Sequence, residues 1–349
     1  MNIVEVLRKA VEKGASDVHI ATDSKPMARI TGDIVALDFP ELTADDVDKA
    51  INEIMPEASR ERFQQGDEVD CGFSIKDFAR FRVNIYKEKK GWAIAFRAIS
   101  DKIPSVEDLG LQDAIINLTR IPKGLILVTG PTGSGKSTLI ACLIDLINKE
   151  RKSHIITMED PIEYLFNDRS CIVSQREIGN HSSSFANALK YALRQDPDIV
   201  LVGEMRDLET ISMALTMAET GHLVFATLHT TDAAQTVDRI IDVFPSFQQQ
   251  QVRMQLSGAL RAVISQELLA NIEGTGRVAA REIMIVNSAI ANLIREGQTH
   301  QIYSAIQTGK SIGMCSMDSA LADLCRDGLI TYEAAEAKSN NPDALKAYL

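Results

Sequence analysis

An α/β architecture is expected for this 349-residue chain, with a core of parallel strands, a small α+β domain before it and a helical region after it. Three observations predict it. From Gly124 onward, short apolar runs (residues 125–128, 155–158, 199–202 and 223–226) alternate with helical segments. Continuous apolar runs suit strands covered on both faces, as in a parallel sheet. The first run leads straight into a glycine loop and an amphipathic helix. On either side of this core the apolar period changes, to alternating strands before residue 100 and to helices from about Asn287.

The boundaries follow from that pattern: an N-terminal domain over 1–99, a connector over 100–122, a core over 123–286 and a helical region over 287–349. The first helix reads from Asn2, a suitable N-cap, to Gly14, a suitable terminator. Ile3, Val6, Leu7, Ala10 and Val11 fall on one of its faces. Alternating strands are expected at 17–21, 27–31, 72–75, 80–86 and 92–98, with a helical stretch over 44–65. Pro104, Gly110 and Pro122 mark the connector. Gly297, Gly309, Gly313 and Gly328 punctuate the C-terminal helices.

Composition narrows the function classes. Lys plus Arg is 37 and Asp plus Glu is 48, a net charge of −11. Such a chain repels phosphate backbones, and no basic patch is interleaved with aromatics, so nucleic acid is an unfavoured partner. No apolar run approaches the ~18 residues of a spanning helix, so no membrane insertion is expected. Glu5, Arg8 and Lys9 interrupt any signal-peptide core, which predicts a cytosolic protein. The cysteines (Cys71, Cys142, Cys171, Cys315 and Cys325) form no C-x-x-C pair, which argues against a zinc site or a disulfide framework.

The sharpest chemical signal is Gly130-Pro131-Thr132-Gly133-Ser134-Gly135-Lys136-Ser137-Thr138, a match to the phosphate-binding loop G-x-x-x-x-G-K-[ST]. Its glycines let several backbone N–H groups turn inward toward phosphate oxygens, and the helix dipole adds positive potential there. Lys136 is placed to reach β and γ phosphates, and the Ser137 hydroxyl to ligate Mg²⁺, so ATP and Mg²⁺ are the expected ligands. In an open parallel sheet the other strand ends converge on this loop. The segment MEDPIEY brings Glu159, Asp160 and Glu163 there; Glu159 and Asp160 are candidate Mg²⁺ holders, and a solvated turn is the alternative reading. The segment DPDIVLVGEMRD brings Glu204, with Gly203 where a metal-binding aspartate often stands. Glu204 is a candidate to orient or deprotonate water, or else a salt-bridge partner of Arg206. The segment GHLVFATLHTTDAAQT carries His222 before its strand and His229 after it, each a candidate sensor or a structural histidine.

Together these four ordered segments resemble the hexameric secretion and pilus ATPases. GPTGSGKST resembles that family's Walker A, TMEDPIEY its Asp box, residues 193–207 its Walker B signature and GHLVFATLHTTDAAQT its His box. The likeness to its pilus-retraction members runs nearly end to end, through GASDVHI, ARFRVNIY, ISQELL, IYSAIQTGKSIGM and SMDSALADL. It implies a RecA-like core, a PAS-like N-terminal domain and a homohexamer at the inner-membrane face of a pilus machine. It implies an inner-membrane platform protein as partner, with a second, accessory motor of the same family as another. It also implies catalytic roles for Glu163, Glu204 and His229, and for arginines on ARFRVNIY and AIAFRAI. Of Arg80, Arg82 and Arg97, Arg82 and Arg97 are the chosen candidates to meet transferring phosphate charge. Arg194, Arg206 and Arg239 are candidate contacts between subunits. One departure stands out: AIANLIRE carries Ala291 where the family reads arginine, on a helix whose Ala291 and Asn292 are expected to face outward. An accessory motor of this family, a nucleic-acid translocase and a non-hydrolysing nucleotide binder are the competing readings.

Overall fold

Residues 2–30, 32–76, 78–99 and 103–349 are described by the computed structural model. Two expectations touch residues outside that set: the strand end at Thr31 and the start of the connector at 100–102. The chain divides into two compact units.

The first unit comprises Met1–Ile103 with Asp160–Leu165 and Arg176–Ser183. Its helix α1 (Ile3–Glu12) is capped as expected: the Asn2 side chain accepts the Glu5 N–H at 3.2 Å. Then follow β1 (Ala15–Ala21), β2 (Met27–Ile30), β3 (Asp33–Ala36), α2 (Ala44–Ile54), α3 (Arg60–Gln64), β4 (Val69–Ile75), β5 (Ala79–Glu88) and β6 (Gly91–Ile99). The strands form one sheet in the order β3-β2-β1-β6-β5-β4. One face buries Val18, Ile20, Val83, Ile85, Ile94 and Phe96 with Ile3, Leu7, Val47 and Ile51 from the helices. Two expectations are corrected. The helix over 44–65 breaks after Ile54, because Pro56 holds Met55 in extended conformation (ψ 124°). Strand β3 went unforeseen, because all four of its residues are exposed and give no alternation to read.

The second unit opens with α4 (Asp113–Asn117) and β7 (Gly124–Thr129). It continues through α5 (Lys136–Glu150), β8 (His154–Glu159), β9 (Ile172–Glu177), α6 (Phe185–Ala192), β10 (Ile199–Val202), α7 (Leu208–Glu219), β11 (Leu223–Leu228), α8 (Ala233–Asp242) and α9 (Ser246–Ala259). The last elements are β12 (Leu260–Ala270), β13 (Arg277–Ile285), α10 (Ser288–Arg295), α11 (Ile302–Thr308), α12 (Met317–Arg326), α13 (Tyr332–Glu336) and α14 (Pro342–Tyr348). The sheet order is β13-β12-β7-β11-β10-β8-β9. Pairs β12–β7, β7–β11, β11–β10 and β10–β8 are parallel, whereas β12–β13 is antiparallel. Strands β7, β10 and β11 are buried along their whole length, as their unbroken apolar runs require.

The units depart from the sequence boundaries in two ways. Residues 160–165 and 176–183 group with the first unit, held by Glu177, which is 3% exposed. It accepts from Arg80 Nη2 at 2.7 Å and from the Ile162 N–H at 3.0 Å, and from Asn180 Nδ2. The connector is also more than a linker, since Ile115 and Leu118 are buried in the core of the second unit. No helix among the described residues is long and apolar enough to cross a membrane.

Candidate functional site

The register of the parallel strands fixes where the chemistry gathers. Val202 lies level with Ala226 and Met158, and Ala226 with Leu127. The chain therefore leaves β7, β8, β10 and β11 along one edge of the sheet, the carboxyl edge at which ligands bind in such folds. Gly130, Glu159, Gly203-Glu204 and His229 all follow at that edge.

The loop after β7 has the backbone a phosphate cradle needs. Gly130, Gly133 and Gly135 have φ of +139°, +79° and +84°, values that L-residues rarely adopt. A side chain at Gly130 would lie 2.3 Å from the Gln266 carbonyl oxygen, so bulk is excluded as well. Gly135 is the N-cap of α5 and supplies no side-chain acceptor for its first N–H groups. Lys136, 9% exposed, folds onto the loop, its Nζ donating to Gly130 O at 2.7 Å and Pro131 O at 3.0 Å. The Ser134 hydroxyl is buried without a hydrogen-bond partner. An inward glycine cradle, an uncapped helix N-terminus, a lysine and a buried orphan hydroxyl together fit a polyphosphate.

The carboxylates separate by role. Glu204 accepts from Arg206 Nε at 2.5 Å and lies 2.9 Å from His229 Nε2. Glu204 thus pairs with Arg206, as one of its two sequence readings expects, and stands at the strand end beside His229. Burial pushes its carboxyl up, but the Arg206 guanidinium and the His229 ring outweigh that and hold it below the ordinary value. Gly203 is explained by space. A Cβ there would sit 3.1 Å from Met158 O and 3.2 Å from Glu159 Cα, so an aspartate would crowd the end of β8. Glu159 accepts from Thr157 Oγ1 at 2.7 Å and Gln175 Nε2 at 3.2 Å. Asp160 and Glu163 fall in the first unit, whereas Glu159 and Glu204 fall in the second. No group of three or more His, Cys, Asp or Glu among the described residues forms a metal cage. A Mg²⁺ here fits the pattern of one or two protein oxygens completed by phosphates and water, with Ser137 as the hydroxyl at the start of α5. His222 Nδ1 lies 2.9 Å from Met217 O near the end of α7, a contact that the structural reading expects.

The three arginines of the first unit divide as well. Arg80, 12% exposed at its side chain, is committed to Glu177. Arg82 and Arg97 are directly opposite each other on β5 and β6, and both are exposed. Arg97 also donates to Asp17 at 2.9 Å. Arg194, Arg206 and Arg239 are exposed. On α10, Ile290 and Ile294 are buried as expected and Asn292 is exposed, but Ala291 is half-buried rather than fully outward.

Residues unforeseen in the sequence support this edge. Gln266 on β12 and Arg281 on β13 sit beneath the phosphate loop, and Glu282 joins two helix starts. Glu282, 1% exposed, accepts from the Ala233 N–H at the start of α8 at 2.8 Å and from the Met317 N–H of α12 at 3.4 Å. Burial pushes its carboxyl from 4.5 up to about 7; Asp232 and Asp318 push the same way, and the two N–H groups oppose. A carboxyl raised in the folded state stabilises fully below its unfolded pKa and loses that stability as pH rises to the folded pKa. Between pH 4.5 and 7 the second unit should lose on the order of 3 kcal/mol from this group. Glu282→Gln cannot ionise, so its melting temperature should fall less than wild type between pH 5 and 8. Parallel melting curves would contradict the assignment.

A family described as Type II/IV secretion system protein matches residues 2–319. The chain is 48% identical over 343 residues to the type IV pilus retractation ATPase PilT of Pseudomonas aeruginosa, covering 98% of this chain and 99% of that protein. It is 47% identical over 344 residues to a twitching motility protein of Neisseria gonorrhoeae, covering 99% and 92%. With the type IV pilus ATPase PilU of P. aeruginosa the identity is 37% over 346 residues, covering 99% and 91%. Among solved structures, the pilus retraction motor PilT with bound ADP superposes with a TM-score of 0.93 at 48% identity, covering 99% of each chain.

Proposed function

Because the chain belongs to the type II/IV secretion system protein family, we propose that it is a ring ATPase that powers type IV pilus retraction, and so twitching motility. One observation carries the reading: the likeness to PilT extends over 98% of this chain and 99% of that protein at 48% identity. The lower identity to PilU, 37%, makes an accessory motor the second reading. The chain hydrolyses ATP to ADP and phosphate, and works as a homohexamer at the inner-membrane face of the pilus machine. Its partners are the inner-membrane platform protein and a PilU-like second motor; nucleic acid is not among them.

In this reading the cradle of Gly130 to Gly135, which includes Thr132, binds the phosphates through backbone N–H groups, and Thr138 follows it on the first turn of α5. Lys136 swings from the loop carbonyls to the β and γ phosphates. Ser137, with Glu159 and Asp160, would hold Mg²⁺, which would supply positive charge against the phosphates. Glu204, ionised at neutral pH, orients the attacking water and takes its proton, while His229 fixes the carboxylate from the other side. Glu163 assists from the Asp box.

Arg82 and Arg97, adjacent across β5 and β6, meet the developing phosphate charge in the assembled ring. Arg82→Ala and Arg97→Ala should each lower turnover more than ATP affinity. The loss should stay below the ~10³–10⁵-fold of a lone arginine finger, since the two share the task. Steady-state kinetics beside nucleotide binding checks this, and unchanged turnover in both variants refutes it. Direction is tested by deleting the gene in its host and counting surface pili. Excess static pili are expected; absent pili would make the chain an extension motor.

A further inference from the structure

Beneath the phosphate loop lies a buried polar chain that the ATPase reading does not use. Gln266, 3% exposed, and Arg281, 5% exposed, face each other across β12 and β13. Gln266 Nε2 donates to the Ser134 carbonyl at 2.6 Å, and its Oε1 accepts from Arg281 Nε at 2.7 Å. Arg281 Nη2 then donates to Leu109 O at 2.9 Å. Leu109 belongs to a hydrogen-bonded turn in which Ser105 and Asp108 bond reciprocally and Leu111 closes onto Val106. Arg281 has no carboxylate partner within 4.0 Å among the described residues, although a buried cation is usually paired. Its burial is therefore supported only by neutral acceptors, one of which is the glutamine that holds the loop.

We propose that Gln266 and Arg281 are positioning residues for ATP binding, a relay that fixes the Ser134 carbonyl of the phosphate loop and ties the loop to the turn at 105–111. The loop is short and half of its six residues before Lys136 are glycines, so the direction of its N–H groups depends on what anchors its peptides. Two of its glycines are moulded on this same glutamine: a Cβ at Gly130 would meet Gln266 O at 2.3 Å, and one at Gly135 would meet Gln266 Nε2 at 2.8 Å. Ser134 and Gly135 are the last residues before α5, so a donor on the Ser134 carbonyl fixes the peptide that joins them. Arg281 fixes the glutamine amide, since a guanidinium can only donate and so selects Oε1 for itself and Nε2 for the loop. The unneutralised guanidinium also adds positive potential beneath a site for anionic phosphates. Segment 104–112 leads out of the first unit in sequence, so the relay gives the phosphate loop a fixed tie to the chain that joins the units.

The inference rests on the phosphate-loop reading, and the test separates the two. Full-length Gln266→Leu, Gln266→Glu, Arg281→Lys and Lys136→Ala would be compared with wild type by ATP kinetics and thermal melting. The relay acts on bound phosphates in ground and transition states alike, so its loss should raise KM with kcat nearly unchanged. A packing role would instead lower the active fraction, and so kcat, at constant KM. Gln266→Leu should raise KM about three- to tenfold, the range for one lost hydrogen bond. Gln266→Glu keeps the shape and gives Arg281 a buried counter-ion but cannot donate to Ser134. It should therefore fold with a melting temperature at or above wild type and still show the raised KM. Arg281→Lys keeps the charge and loses the fork, and should raise KM by less. Wild-type KM in both Gln266 variants, or failure of Gln266→Glu to fold, overturns the relay. Wild-type turnover in Lys136→Ala overturns the loop reading itself.

Discussion

Lys136→Ala should abolish ATP hydrolysis and weaken nucleotide binding while leaving both units folded. The lysine is the one cation bonded within the loop among the described residues, and its two contacts are to loop carbonyls at 2.7 and 3.0 Å. On the phosphate-loop reading the ammonium leaves those carbonyls for the β and γ phosphates, so its removal subtracts positive charge where negative charge develops. Loss of a single preorganised donor of this kind costs on the order of 10²–10³-fold in kcat, and a full positive charge at a phosphoryl centre costs at least as much. Folding survives because the loop is set by its glycines and by the apolar cores on either side of β7, not by this side chain. The check is turnover and nucleotide binding in a purified variant with a normal melting curve. Wild-type turnover would remove the phosphate loop from the mechanism.

The second large effect is at Glu204. Glu204→Gln keeps the shape and the contacts with Arg206 and His229 but removes the charge. Binding of ATP should persist while turnover drops by roughly 10²–10⁴-fold, the usual contribution of a general base. The carboxyl lies below its ordinary value because Arg206 and His229 outweigh the effect of burial. It is therefore ionised at neutral pH and ready to accept a proton. Single-turnover kinetics separates this chemical step from binding. If Glu163→Gln is crippled and Glu204→Gln is not, the base comes from the Asp box and the two roles exchange.

Much of this site was legible in the sequence because its signals are local. A phosphate loop is contiguous, and its strand and helix flank it directly. The apolar runs at 199–202 and 223–226 lie in strands for the same reason: both faces are buried, so nothing interrupts them. What the sequence hid is non-local. Glu177 and Arg80 lie 97 residues apart, and no pattern around either predicts that their pairing draws 160–165 and 176–183 into the first unit. Gln266 and Arg281 lie 15 residues apart, on two strands that the apolar runs did not predict. Their role depends on Ser134, 132 residues from Gln266. ISQELL was visible as a family segment, but a glutamine in a strand carries no sign of what it anchors. The exposed strand β3 was missed because it has no buried side to give it a period.

The most direct test of the account is to image labelled pili in a host whose own gene is deleted and replaced by either the wild-type or the Lys136→Ala allele. With wild type, pili should extend and then retract. With Lys136→Ala they should extend normally and remain out, because the retraction stroke lacks its ATP turnover while assembly is untouched. Retraction at wild-type frequency and speed in the Lys136→Ala strain would contradict the claim that ATP hydrolysis at this loop drives the motor.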